Sequence, residues 1–190
     1  MNRAQQKLGN PSPLVVHKVF PVLNEMIQEF VRTSPFAVLS TADSHGNCDA
    51  SPKGGAPGFV KVLDEKHLLL PDVSGNNLFQ SYENIETNPK AALLFVIPGC
   101  DWSVRVNGRV SVIEKTNGHL AGIAPETLSR EENARAQQAL MIDVEEAYAQ
   151  CPRSFSRSKL WDVDQIRATR EKDANAYWLE RWKVSMAGRM

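Results

Sequence analysis

The sequence predicts an α+β fold, an antiparallel sheet of about six strands curled into a barrel and flanked by helices. Three observations predict it. Residues 36–71 read as two hairpins, and a helix and two more strands follow them. No strand–helix–strand alternation occurs, so a doubly wound parallel sheet is not expected. The strand count suits a single sheet, and such a sheet commonly closes to remove its edges.

Each element has its own signal. Leu23, Ile27, Phe30 and Val31 recur at helical spacing behind Pro21, which suits a first helical position, and Ser34-Pro35 stops the helix. Phe36 to Thr41 and Cys48 to Lys53 flank the turn Asp43-Ser-His-Gly-Asn47. In the second of these strands Asp49, Ser51 and Lys53 face one way and Cys48 and Ala50 the other, which puts Cys48 toward the buried side. Phe59 to Leu63 and His67 to Pro71 form the next hairpin around Asp64-Glu-Lys66, and Asn77 to Ile85 reads as a helix ended by Asn88-Pro89. Ala91 to Ile97 is apolar throughout, as in a strand covered on both faces. From Trp102 to Ile113, Val104, Val106 and Val110 alternate with Ser103, Arg105, Asn107 and Arg109, and Gly108 marks a bend or bulge. From Pro125 to Ala149 the chain reads as helical, with Leu128, Leu140, Val144 and Tyr148 near one face, until Cys151-Pro152 breaks it.

Composition removes several function classes. The 22 basic and 22 acidic residues cancel, which argues against a general nucleic-acid binder. Three widely spaced cysteines make neither a disulfide framework nor a zinc pair, and free thiols fit a reducing cytoplasm. The polar start MNRAQQKLGNPSP lacks the apolar core of a signal peptide, and no apolar run is long enough to span a bilayer, so no membrane partner is expected. The four histidines share no ligand spacing, so no metal is expected.

Two segments have the chemistry of an anion site. Asp49-Ala-Ser-Pro-Lys-Gly-Gly55 brings Ser51 and Lys53 to one strand face and then turns glycine-rich, so a hydroxyl, an ammonium and backbone N–H groups can meet a ligand. On composition alone the plainer description, a solvated strand face and a loop, is favoured. Pro71-Asp-Val-Ser-Gly-Asn-Asn77 precedes a helix, where Ser74, Asn76 or Asn77 serves either as a cap or beside an anion held at the helix start. Arg105 and Arg109 are about 13 Å apart along their strand, too far to share one phosphate.

Taken in order, FAVLSTADSHGNCDASPKG, HLLLPDVSGNNLFQSYENIETNPKAALLFVIPG, WSVRVNGRV and CPRSFSRSKLW are similar to stretches of the pyridoxamine 5′-phosphate oxidase superfamily. The resemblance covers roughly residues 20–163. It implies a six-stranded antiparallel split β-barrel, an FMN cofactor and a homodimer whose two sites draw on both subunits. It implies that Ser51 and Lys53 contact the flavin and that Pro71 and Asp72 end a strand beside its ring. Asn76 and Asn77 stand where the family often carries basic phosphate ligands. Ser103 and Arg105 match a later strand that reaches the cofactor, and Arg157 and Trp161 match residues arriving from the other subunit. The implied organisation is an N-terminal arm over 1–20, a flavin-binding domain with a helical insertion over 21–163, and a helical extension over 164–190. The implied activity is an FMN-dependent oxidoreductase acting on a small organic substrate. The alternatives are a flavin-binding module without turnover, or the same barrel holding deazaflavin or haem.

Overall fold

The computed structural model describes residues 3–72, 78–114 and 138–187. They fall into two compact units. One runs to Ile97 and resumes over Trp102–Gln150, and the other takes Pro98–Asp101 with the chain from Cys151 onward.

In the first unit, two short helices, α1 (Arg3–Leu8) and α2 (Pro13–His17), precede α3 (Glu25–Thr33). Helix α3 starts at Glu25 rather than at Pro21, because the Asn24 side chain accepts the Ile27 N–H at 3.0 Å and caps it there. Ile27 and Val31 are buried on its inner face. Ser34 closes the helix, and its fully buried hydroxyl reaches the carbonyls of Phe36 and Val96 at 2.9 and 2.8 Å.

The strands are β1 (Phe36–Ala42), β2 (Cys48–Gly54), β3 (Lys61–Val62), β4 (His67–Asp72), β5 (Lys90–Val96), β6 (Ser103–Glu114) and β7 (Gln138–Gln150). Helix α4 (Gln80–Thr87) lies between β4 and β5 in the chain. All pairings are antiparallel, in the order β2-β1-β5-β6-β7-β4-β3. Strands β2 and β3 end the sheet and are not paired with each other among the described residues. Rows of facing residues run across it and build the core. Leu39 faces Leu93, Leu93 faces Val106, and Val106 faces Ala147, all of them buried. Helix α3 adds Ile27 and Val31 to this core, and α4 adds Ile85.

The strand pattern predicts six strands, and the sheet has seven. The extra one is β7, which occupies residues 138–150 of the stretch that reads as helical. Residues 125–137 of that stretch lie outside the described residues. The helical reading rests on Leu140, Val144 and Tyr148, whose spacing of four satisfies a strand as well as a helix. Ile142, buried between Leu140 and Val144, fits only the strand, since two residues along a helix would turn it away. The alternation is hidden because β7 changes phase. Asn107 pairs with Glu146 but Gly108 pairs with Val144, so Glu145 is an extra residue in a bulge. Beyond it the buried position is Ala147 rather than Glu146. Gly108 sits opposite, and a Cβ there would lie 2.1 Å from the Asp143 carbonyl oxygen, so this position requires glycine.

Two aspartates hold the hairpin turns. The Asp43 carboxylate accepts the His45 and Asn47 N–H groups, both at 2.8 Å, and the Asn47 amide at 2.7 Å. The Asn47 side chain and then its N–H hold the Asp43 carboxyl below its ordinary 3.8. Asp64 accepts the Lys66 and His67 N–H groups at 2.7 and 2.9 Å, and its carboxylate lies 2.8 Å from the His67 ring. The His67 ring and then the Lys66 N–H lower its pKa as well.

The second unit contains α5 (Arg153–Ser158), α6 (Val163–Glu171) and α7 (Ala174–Met186). Asp162 caps α6 through the Gln165 N–H at 2.9 Å. No helix among the described residues is long and apolar enough to cross a membrane.

Candidate functional site

Strand β2 alternates between half-buried and exposed residues, with Asp49, Ser51 and Lys53 on the half-buried side. Cross-strand register shows which side this is. Ser51 faces Leu39 and Lys53 faces Ala37, and both of these partners are fully buried in the core. Ser51 and Lys53 therefore stand on the inner face of the sheet, at its β2 edge. Cys48, Ala50 and the exposed Pro52 point outward, so Cys48 is on the solvent side and not the buried one.

Helix α4 is docked against this same face. The Ser81 hydroxyl, in its first turn, donates to the Asp49 carboxylate at 2.8 Å. One turn later the Asn84 amide donates to the Thr41 hydroxyl at 3.0 Å. Ser81 and Thr41 are both buried. These bonds set the start of α4 beside Asp49, one strand step from Ser51. Phe79 is the N-cap residue, with φ at 49° and no side-chain cap bond. A left-handed phenylalanine is an uncommon conformation that the surrounding structure must hold. Asn76 and Asn77 lie outside the described residues.

The remaining sequence candidates occupy other places. On β6, Ser103 and Arg105 point to the outer face. Ser103 is buried opposite Val96, and Arg105 is exposed opposite Leu94. Arg105 stands over the Tyr148 ring with its Cζ 6.0 Å from the centroid and its Nη1 3.4 Å from the hydroxyl. Lys18 lies 5.3 Å from the same ring. Three strand spacings, about 14 Å, separate β2 from β6. On β4, Pro71 is buried opposite Ala139 on the outer face, and the Asp72 backbone pairs with Gln138. In the second unit, Arg157 is an exposed residue of α5. Trp161 donates its indole N–H to the Cys100 carbonyl at 3.0 Å and stacks on Phe155, with 6.0 Å between ring centroids.

The fold thus brings together Ser51, Lys53 and the start of α4, and keeps Pro71, Ser103 and Arg105 on the opposite face of the same sheet. Two half-buried residues, a lysine and a serine two positions apart, supply an ammonium and a hydroxyl donor suited to an acceptor-rich or anionic ligand edge. Asp49 and Ser81 were not legible as partners, because they are 32 residues apart and belong to different elements. Tyr148 was hidden by the bulge that disguises β7. Among the described residues no group of three His, Cys, Asp or Glu side chains is placed to hold a metal ion.

Several solved structures are similar to this chain. A candidate pyridoxamine 5′-phosphate oxidase from Lactobacillus delbrueckii is 25% identical over 68% of this chain and 95% of that one, with a TM-score of 0.49. General Stress Protein 26 from Bacillus anthracis is 16% identical over 66% of this chain and 91% of its own, at 0.46. HupZ of Group A Streptococcus is 17% identical over 65% of this chain and 90% of its own, at 0.47. No curated protein matches the sequence. Residues 23–151, which contain the whole seven-stranded sheet, match the pyridoxamine 5′-phosphate oxidase family, and the chain belongs to that family.

Proposed function

We propose that the protein is a cytoplasmic FMN-binding oxidoreductase that acts on a small organic substrate as a homodimer. The observation that carries the reading is the pairing of Ser51 and Lys53 on the inner face of β2 beside the tethered start of α4, within the segment that matches the family. Their donor chemistry fits the carbonyl-rich pyrimidine edge of a flavin. Bound FMN would supply two-electron redox chemistry between a donor and an acceptor.

The chain's own residues would bind and orient the ring. Lys53 places positive charge at the pyrimidine edge, and Ser51 adds a hydroxyl donor beside it. The Asp49–Ser81 bond holds the first turn of α4 in position, where its N–H groups favour a phosphate. Ser103 and Arg105 sit on the outer face, so a pocket that uses both sets draws on two copies of the chain. That arrangement accounts for the homodimer, and sedimentation at micromolar concentration reads it directly.

An absorption spectrum of the protein as purified, followed by titration with FMN, tests the cofactor. Bands in the near-ultraviolet and blue are expected, and a protein that stays colourless with added FMN overturns the reading. Lys53→Ala should weaken FMN binding by about 1.5–3 kcal/mol, the contribution of a charged hydrogen bond. Unchanged affinity in that variant removes Lys53 from the site. Oxidation of NADH or NADPH by the FMN-loaded protein separates an oxidoreductase from a flavin-binding module without turnover.

A further inference from the structure

A single backbone bridge carries Lys18 to the sheet. Phe20 exchanges both of its hydrogen bonds with Ala147 of β7, at 3.0 and 2.8 Å. Two residues earlier, the Lys18 ammonium donates to the Ala149 carbonyl at 3.1 Å and stands 5.3 Å from the centre of the Tyr148 ring. Arg105 faces Tyr148 from β6, with its guanidinium carbon 6.0 Å from the same centre. The two charges are therefore separated by no more than the sum of these two distances.

Among the described residues neither cation has a carboxylate in ion-pair contact. The acidic side chains of β7 are engaged elsewhere. Glu146, which shares a face with Tyr148, accepts from the Asn107 amide, Glu145 pairs with Lys90, and Asp143 lies 3.5 Å from the His67 ring. The donors, in contrast, are mostly open. An ammonium has three N–H groups, and Lys18 uses one on the Ala149 carbonyl. The exposed Arg105 guanidinium reaches only the Tyr148 hydroxyl, at 3.4 Å, which is long for a hydrogen bond. That hydroxyl accepts from Arg105, so its own proton has no acceptor among the described residues. A cation over an aromatic ring is an ordinary pairing, but it needs one cation, and the second adds repulsion. Two charged donors and a hydroxyl around one ring, with no acceptor between them, are the complement of an oxyanion.

We propose that Lys18, Arg105 and Tyr148 form the site that takes the anionic group, a carboxylate or a phosphate, of a small-molecule substrate. Two cations suit one such group, whereas a nucleic acid would need an extended basic track. The proposal rests on the flavin reading in one respect: Arg105 as a residue that reaches the flavin is what makes the anion the substrate's. The anion site itself does not depend on it. Lys18 lies outside the family-matched residues 23–151, and neither Lys18 nor Tyr148 is among the residues expected to hold FMN. In that reading the cofactor's own phosphate goes to the start of α4 on the inner face, whereas Arg105 and Tyr148 face each other on the outer one.

Titration of the protein as purified with inorganic phosphate, against chloride at the same ionic strength, tests it. The chain has 3 tyrosines, so NMR of carbon-labelled tyrosine rings resolves them, and Tyr148→Phe identifies the Tyr148 signal. That signal should shift saturably at about millimolar phosphate. Lys18→Gln keeps an N–H for the Ala149 carbonyl but removes the charge. It should weaken phosphate binding about tenfold, the low end for a charged hydrogen bond, and Lys18→Arg should keep it within about threefold. No shift beyond the chloride control, or equal affinity in Lys18→Gln, overturns the proposal. Phosphate should also bind the protein saturated with FMN. Displacement by FMN would give the site to the cofactor's tail and overturn its assignment to a substrate. Lys18-dependent phosphate binding by a protein that takes up no FMN sinks the flavin reading and leaves the anion site standing.

Discussion

Gly108 is the residue whose identity the backbone most strongly dictates. Its missing Cβ makes room for the Asp143 carbonyl, 2.1 Å from where that carbon would lie. The obstacle is main chain and cannot rotate aside. Gly108→Ala should therefore cost about 3 kcal/mol, at the upper end of ordinary overpacking, and a urea titration reads it as a lowered midpoint. An unchanged midpoint would mean that the β6–β7 bulge relaxes freely. The glycine's role as a bend was legible in the alternation of β6. Its cause was not, because the crowding atom belongs to a strand disguised as a helix. The same limit applies at the candidate site. Period-two spacing put Ser51 and Lys53 on one face from sequence alone, and the register confirms that they share it. Which face it is depends on Ala37 and Leu39 of the neighbouring strand, and no local pattern states that.

At the scale of elements, β1, β2, β4, β5 and β6 were readable because short runs, alternating in β2 and β6 and continuously apolar in β4 and β5, are bounded by turn residues. Strand β7 was not, since a single extra residue, Glu145, splits its alternation into two short runs of opposite phase. Glu145 makes an ion pair with Lys90 of β5, on the far side of β6. Helix α4 was readable as a helix but not in its attachment. It holds to the sheet through two part-buried polar bonds, Ser81 to Asp49 and Asn84 to Thr41, as well as through Ile85. A buried hydroxyl donating to a carboxylate stabilises by about 1.5–3 kcal/mol, so Ser81→Ala should lower stability by about that much. Amide hydrogen exchange is the sharper measurement, because Asn84, Glu83 and Tyr82 should lose protection before the β5–β6 ladder does. Uniform loss across the whole sheet would show that α4 is not a separately attached element.

For the whole molecule, acid is the informative variable. Asp43 and Asp64 each have a folded-state pKa below the ordinary 3.8, set first by the Asn47 side chain and by the His67 ring respectively. Lowered carboxylate pKa values stabilise the fold above the unfolded pKa, and that contribution is lost as pH falls through the folded value. Asp43→Ala and Asp64→Ala should thus lower the urea midpoint at about pH 7, and the gap to the natural protein should narrow by about pH 2.5. A gap that stays constant would assign the turns' stability to backbone geometry alone. A charged, tryptophan-bearing C-terminal stretch is visible in the sequence, but its failure to bury any described side chain appears only in three dimensions.

The terminal position of β2 has a consequence of its own. A border strand with its amides facing outward invites a foreign chain to zip on, the first event in fibre growth. Pro52, at the middle of β2, has no amide hydrogen to offer, and Lys53 beside it adds a charge that an incoming strand would have to desolvate. The border that presents Ser51 and Lys53 is thereby a poor template for runaway stacking, so β2 can end the sheet without another strand of the described residues beside it.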